Sequence, residues 1–214
     1  MVGFYIFFKA RLLQFLLDAL LFWKFRKNKI IIDFLKQLDF FSCPYAISAD
    51  FNRKEGKDPY SYGHTHLWTV YQIFKLFPNR DGLHVLDLGA GDFQVAFFLR
   101  KIFNFSVSGI EKIPKFCEEA FKFKDKFSIS NVSIIEGDYL KIEPLKADIG
   151  FLFGSNLADE EIQKLISKLG SVDLIITVSF PLSDFCNDYE TIYEKKVWFL
   201  FGSASIYIQK RKKL

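Results

Sequence analysis

Residues 83–94 read Leu83-His84-Val85-Leu86-Asp87-Leu88-Gly89-Ala90-Gly91-Asp92-Phe93-Gln94, an apolar run that breaks at two glycines and resumes as a helical pattern from Gln94 to Ile102. Strand, glycine turn and helix in that order make the ligand-cradling corner of an α/β sheet. Gly91 lets the backbone approach a ligand closely, and the start of the helix is expected to offer unpaired amides. A glycine pair alone is a weak signal, so the residues that follow at strand-like intervals decide the matter.

They continue the pattern. Ser106 to Ile110 reads as a second strand ending in Glu111, roughly 20 residues after the turn, where a carboxylate can take both hydroxyls of a ribose. Val132 to Ile135 is a third, ending in Gly137-Asp138-Tyr139, an acid and an aromatic ring suited to the amino edge and face of an adenine. A fourth, Ala147 to Phe153, opens into Gly154-Ser155-Asn156 and a helix from Asp159 to Leu169, and Val172 to Phe180 is a fifth. Lys196 to Phe201 and Ala204 to Gln209, joined by Gly202-Ser203, form a terminal hairpin. The expectation is an α/β protein with a seven-stranded, doubly wound, Rossmann-like sheet ending in an antiparallel hairpin. A dinucleotide corner would carry a third glycine where Gln94 stands, so another cofactor is expected.

Upstream, Leu67 to Phe77 reads as a helix ended by Pro78, and residues 52–59, with Gly56 and Pro59, read as an exposed loop. The chain is therefore divided into a helical appendage, 1–60, and a body, 61–214. The appendage holds two apolar helices, one in the first 25 residues and one from Ile30 to Leu38. In the first, Lys9, Arg11 and Asp18 interrupt the apolar run, which predicts neither a transmembrane span nor a cleaved leader. Arg11, Gln14 and Asp18 line one narrow stripe, and leucines and Trp23 cover the remainder. Such a helix is expected to be buried against protein or in the plane of a membrane, with burial against protein preferred.

The 214 residues are half hydrophobic and a quarter charged, with 12 Gly and 6 Pro, which excludes collagen-like and disordered chains. The 27 Phe beside a single Met read as compositional bias. Residues 1–80 carry 12 basic and 6 acidic side chains. The formal charge of +4 is concentrated in Lys24, Arg26, Lys27 and Lys29 and in Lys210, Arg211, Lys212 and Lys213, two clusters open to weak contact with nucleic acid or an anionic membrane. Cys43, Cys117 and Cys186 are far apart and odd in number, which predicts no disulfide framework and a cytoplasmic protein, peripheral to membrane at most. His64 and His66 lack a third partner at metal-ligand spacing, so no metal is expected.

Residues 82–214, through Val85-Leu86-Asp87-Leu88-Gly89-Ala90-Gly91, Gly109-Ile110-Glu111-Lys112, Glu136-Gly137-Asp138-Tyr139-Leu140 and the final hairpin, resemble the class I S-adenosylmethionine-dependent methyltransferases. With Tyr62-Gly63-His64-Thr65 and Gln94-Val95 added, the block looks like the non-SET lysine methyltransferases of the disruptor-of-telomeric-silencing type. The resemblance implies S-adenosylmethionine as cofactor and a protein lysine as acceptor, with an RNA or small-molecule methyltransferase, or a non-catalytic fold relative that binds a partner or membrane, as alternatives. It implies that Thr65 touches the methionine moiety and that Gly89, Gly91 and Gln94 surround its amino acid end. Glu111 would hold the ribose, and Asp138 with Tyr139 the adenine. Asn156 would lie by the sulfonium and the nucleophile, unless it is only a turn residue, and Tyr62 would sit beside a loop closing over both substrates. Asp87 either shapes the turn or touches ligand, and Asp92 is read as a surface residue opening the helix.

Overall fold

The computed structural model describes residues 2–38, 43–56, 58, 62–77, 82–142, 146–154 and 157–212. Five strands, β1 (His84–Leu88), β2 (Ser106–Glu111), β3 (Val132–Glu136), β4 (Lys146–Leu152) and β5 (Ser171–Val178), pair in parallel. Two more, β6 (Tyr189–Phe199) and β7 (Gly202–Arg211), form the hairpin. The order across the sheet is β3-β2-β1-β4-β5-β7-β6, and β7 is antiparallel to both neighbours. β1 sits centrally because Val85, Leu86 and Leu88 are apolar on both faces, as a strand covered by helices on each side requires.

The helices are α1 (Val2–Phe25), α2 (Lys29–Leu38), α3 (Pro44–Lys54), α4 (Leu67–Phe74), α5 (Gln94–Phe103), α6 (Pro114–Lys126) and α7 (Asp159–Lys168). α6 opens on a proline whose missing amide proton costs nothing in a first turn. α7 opens on three acids, and the Glu161 carboxylate accepts the Ala158 amide at 3.1 Å, satisfying one orphan donor. Leu21, Phe34, Leu35 and Leu38 share one apolar core with Val70, Phe74 and Phe97, each such fully buried side chain contributing about 1.5–3 kcal/mol.

Three local expectations need correction. The stretch read as an exposed loop from Asn52 is helical through Lys54: Pro44 starts α3, Lys54 pairs with Asp50 at 2.7 Å, and Asn52 is buried with its amide donating to Ser48 Oγ at 3.2 Å. Lys57 and Pro59 lie outside the described residues, as does Pro78, and α4 already ends at Phe74. The hairpin is longer than its apolar core, because β6 begins at Tyr189 with an exposed, charge-rich half and a register shift between Thr191 and Tyr193. Finally, the C-terminal basic cluster is partly structural: Lys210 and Arg211 belong to β7, and the Arg211 guanidinium donates to the carbonyls of Leu169 (3.2 Å) and Gly170. Lys213 lies outside the described residues.

Candidate functional site

The carboxyl ends of β1, β2 and β3 stand side by side, with Leu88 opposite Ile110 and Glu111 opposite Glu136. In an open parallel sheet this edge is where ligands bind. The chain leaves β1 through Gly89 and Gly91, whose φ values of 81° and 54° favour glycine. A methyl group on Gly91 would stand 2.9 Å from the Tyr62 hydroxyl, and one on Gly89 would stand 3.7 Å from the Tyr139 ring. The turn is thus covered by a tyrosine on each side.

The amides of the glycine turn itself are satisfied within the protein. Gly89 and Ala90 both donate to the Ile110 carbonyl at 2.9 Å, and Gly91 donates to Glu111 Oε2 at 2.9 Å. Phe93 donates to the Ala90 carbonyl at 2.9 Å and Gln94 to Asp92 Oδ1 at 3.2 Å. Phe93 holds an aromatic side chain at φ 61°, fully buried at the head of α5.

What surrounds the turn is a cluster of buried carboxyl groups. Asp87, Asp92 and Glu111 are all buried, so Asp92 is not the surface residue its position before α5 implied. Asp87 Oδ2 and Asp92 Oδ2 have no hydrogen-bond partner among the described residues. Burial, reinforced by Glu111 and Asp92, pushes Asp87 up to about 7. Burial likewise raises Asp92 to about 7, against the opposing Gln94 amide and with Glu111 adding to the rise. Glu111 is raised by burial and held back by the amides of Ile113 (2.8 Å to Oε1) and Gly91.

Beside the turn lies a cavity of about 180 Å³ lined by Gly89, Glu111, Lys112, Gly137, Asp138, Tyr139, Leu140, Leu157 and Glu161. It brings together four residues singled out in the sequence, Gly89, Glu111, Asp138 and Tyr139. Asp138 Oδ1 accepts the Leu140 amide at 2.9 Å, fixing the acid that follows β3. Burial, with Glu161 next, raises the Tyr139 hydroxyl and keeps it neutral. Leu157 and Glu161 escaped sequence reasoning; the acidic first turn of α7 was the available signal for Glu161.

Tyr62, Thr65 and Gln94 lie elsewhere. The Tyr62 ring packs on Phe116 at 5.5 Å and edge-on to Tyr45 of α3 at 5.4 Å, and burial, then the Asp92 charge, raises its hydroxyl. Gly63 lies flat on the Phe153 ring just past β4, a contact that admits no side chain. Thr65 is buried and lines neither this cavity nor the next. A second, smaller cavity of about 40 Å³ is lined by Gln14, Asp18, His64, His66 and Gln94 with four apolar neighbours. His66 Nδ1 accepts the Trp68 amide at 3.1 Å, which leaves the proton on Nε2 to be donated to Asp18 Oδ1 at 2.9 Å. His64 is lowered by burial, then by His66, to about 4. Asn156 lies outside the described residues, with Ser155.

No protein-family model matches the sequence, and no curated protein matches it. Solved structures do match, 1024 chains in all, the mark of a widespread architecture. The magnesium protoporphyrin IX methyltransferase of Synechocystis PCC 6803 with bound S-adenosylhomocysteine aligns at TM-score 0.58 and 18% identity over 69% of this chain and 83% of that one. TrmK of M. capricolum, bound to the same cofactor product, aligns at 0.55 and 16% identity over 67% and 68%. MtNAS with S-adenosylmethionine aligns at 0.54 and 18% identity over 67% and 62%. This is the class I methyltransferase fold. The chain spans about three fifths of the length of the MtNAS structures it matches. These three are named for a tetrapyrrole, TrmK and MtNAS, and none of the names is that of a lysine methyltransferase.

Proposed function

We propose that the protein binds S-adenosylmethionine at the β1–β3 edge and is a methyltransferase, with residues 61–214 as the cofactor-binding unit and 1–60 as a helical appendage. One observation carries the reading: the carboxyl groups of Asp87, Asp92 and Glu111 are buried around the glycine turn, and the amides of Gly89, Ala90 and Gly91 are taken up within the protein. A pyrophosphate needs free amides and suffers from buried negative charge. A ligand bearing a sulfonium and an ammonium gains from the same charge, and its ribose hydroxyls can donate to the lone pairs Glu111 retains after taking two amides. The residues present therefore fit this cofactor.

When bound, it supplies a methyl group already activated for in-line displacement by a neutral nucleophile. The chain's own residues then have to bind, orient and exclude water. Asp138 and Tyr139 present a carboxylate and a ring face to an adenine, and Asp87 and Asp92 balance positive charge from beneath the turn. The cavity of about 180 Å³ is smaller than the roughly 300 Å³ at which ligand sites usually begin. Tyr62 stands over Gly91 on the other side of the turn. Thr65, Gln94 and Asn156 keep the roles the family resemblance assigns them as part of this proposal.

Two acceptor classes rest on different observations. The Tyr62-Gly63-His64-Thr65 loop and the motifs that follow it support a protein lysine, whose ammonium a dry aromatic surround would disfavour so that its proton is left to solvent before transfer. The names of two structural neighbours, a tRNA (m1A22) methyltransferase of Streptococcus pneumoniae and the magnesium protoporphyrin IX methyltransferase, support RNA or a small molecule. Calorimetric titration with S-adenosylhomocysteine tests the cofactor: micromolar binding that falls at least tenfold in Glu111→Ala is expected, and absence of binding to the native protein overturns the reading. Tritiated methyl transfer into whole lysate, divided by protease and nuclease sensitivity, then assigns the acceptor.

A further inference from the structure

α1 is apolar almost all round, and its two apolar faces have different fates. Leu17 and Leu21 are buried against the body, and Asp18 turns to His66. On the other side Leu12, Phe15, Leu16, Ala19, Leu20 and Trp23, spaced three and four apart on one face, are all exposed, Phe15 to 68% and Trp23 to 63%. A contiguous exposed apolar stripe of this length is uncommon on a soluble surface and marks an interaction site.

The charges around the stripe say what it meets. Lys24, Arg26, Lys27 and Lys29 are exposed at its carboxyl end, followed by Ile30 at 70% exposure, and no acidic residue occurs between Asp18 and Asp33. The Arg26 guanidinium lies 4.3 Å from the Trp23 ring and donates to the Trp23 carbonyl at 2.7 Å. That places an indole and a cation together where apolar surface gives way to charge, as at a bilayer interface. No helix among the described residues is long and apolar enough to cross a membrane, so a lipid contact made by α1 lies in the surface plane.

We propose that the outward face of α1 docks on an anionic lipid surface, its leucines, Phe15 and Trp23 among the acyl chains and the Lys24–Lys29 cations against the headgroups. The inner face stays on the protein, which explains why a helix with so little amphipathic contrast lies on the outside of the molecule. The His66–Asp18 hydrogen bond then links a membrane-seated helix to the segment that precedes α4, beside the candidate site.

Flotation of the full chain with vesicles of equal parts phosphatidylcholine and phosphatidylglycerol tests the proposal against vesicles of phosphatidylcholine alone. Binding is expected to the first and to be at least roughly tenfold weaker to the second, each cation near the surface contributing about fivefold. Phe15→Glu combined with Trp23→Glu should abolish flotation, and Lys24→Glu with Lys27→Glu should reduce it at least tenfold, both with an unchanged circular dichroism spectrum. Trp198→Ala removes another exposed aromatic, on β6, and should leave flotation intact. A second copy of the chain is the competing occupant of the stripe. A dimer by sedimentation that Phe15→Glu dissociates, with no flotation of the native protein, overturns the proposal. Equal binding to neutral vesicles, or loss of flotation in Trp198→Ala to the same extent, overturns it as well.

Discussion

Ionising Asp87 inside the folded protein places a charge in a buried site beside the carboxyl groups of Glu111 and Asp92. Asp87 and Asp92 each have a folded pKa of about 7, above the unfolded value of roughly 3.9. The folded state therefore holds protons that the unfolded chain has released, and stability is highest below about pH 4 on this account, falls as pH rises to about 7 and levels off above it. The ligand-free protein should melt at progressively lower temperature from about pH 5 to pH 7.5, and Asp87→Asn should flatten that slope in a thermal-shift series. A cation bound at the turn favours the ionised forms, so cofactor binding near pH 7 should release protons. Titration calorimetry in two buffers of different ionisation enthalpy reads the release directly, and Asp87→Asn should reduce it. Gly91→Ala combines strain at φ 54° with a methyl group against the Tyr62 hydroxyl, and should cost about 1–2 kcal/mol in denaturant unfolding while weakening cofactor binding. These effects were only half legible in the sequence. The positions of Gly89, Gly91, Glu111, Asp138 and Tyr139 could be read from spacing, because strand ends in a parallel sheet are periodic in the chain. The burial of Asp92 and the saturation of the turn amides could not, since both depend on how α5 and the Tyr62 segment close over the turn.

At the scale of elements, His66 joins two roles that the sequence kept apart. It caps α4 through the Trp68 amide and holds α1 through Asp18. His66→Ala should cost about 1–2 kcal/mol from the lost cap and the orphaned amide, and Asp18→Ala less, with a coupling of about 0.5–1 kcal/mol in a double-mutant cycle by urea unfolding. The sequence showed Arg11, Gln14 and Asp18 as a stripe on α1, but not that part of it faces the protein. A helix with apolar residues on nearly every side gives periodicity nothing to orient it, and only the pairing of Asp18 with a histidine 48 positions later does so. Strands β1 to β5 were legible as apolar runs with boundaries off by a residue or two. The charged half of β6 was not, because an edge strand with its outer face in water carries little hydrophobic signal.

Across the whole molecule, the excess of phenylalanine that looks like compositional bias is also the packing material of the core. Phe74 touches Phe77, Phe103, Phe105 and Phe151 with ring centroids 5.7 to 6.4 Å apart, and Phe97, Phe123 and Phe127 form a second run at 4.6 to 4.8 Å. Such tilted and edge-on pairs add about 0.5–1.5 kcal/mol each beyond the area they bury. Phe74→Ala should therefore destabilise by about 3–5 kcal/mol in chemical denaturation, near the limit of what a domain of this size tolerates.

The sheet order also bears on how the chain reaches this structure. β7 is the last in sequence of the described strands, yet it lies inside the sheet, between β5 and β6. While the protein is being synthesised, the five parallel strands emerge first and leave β5 with a bare edge of unpaired amides and carbonyls. β6 does not close that edge, because among the described strands it pairs with β7 alone. The nascent chain must therefore keep an open β-edge until residues 202–211 have left the ribosome, an interval in which chaperone engagement or mispairing competes with folding.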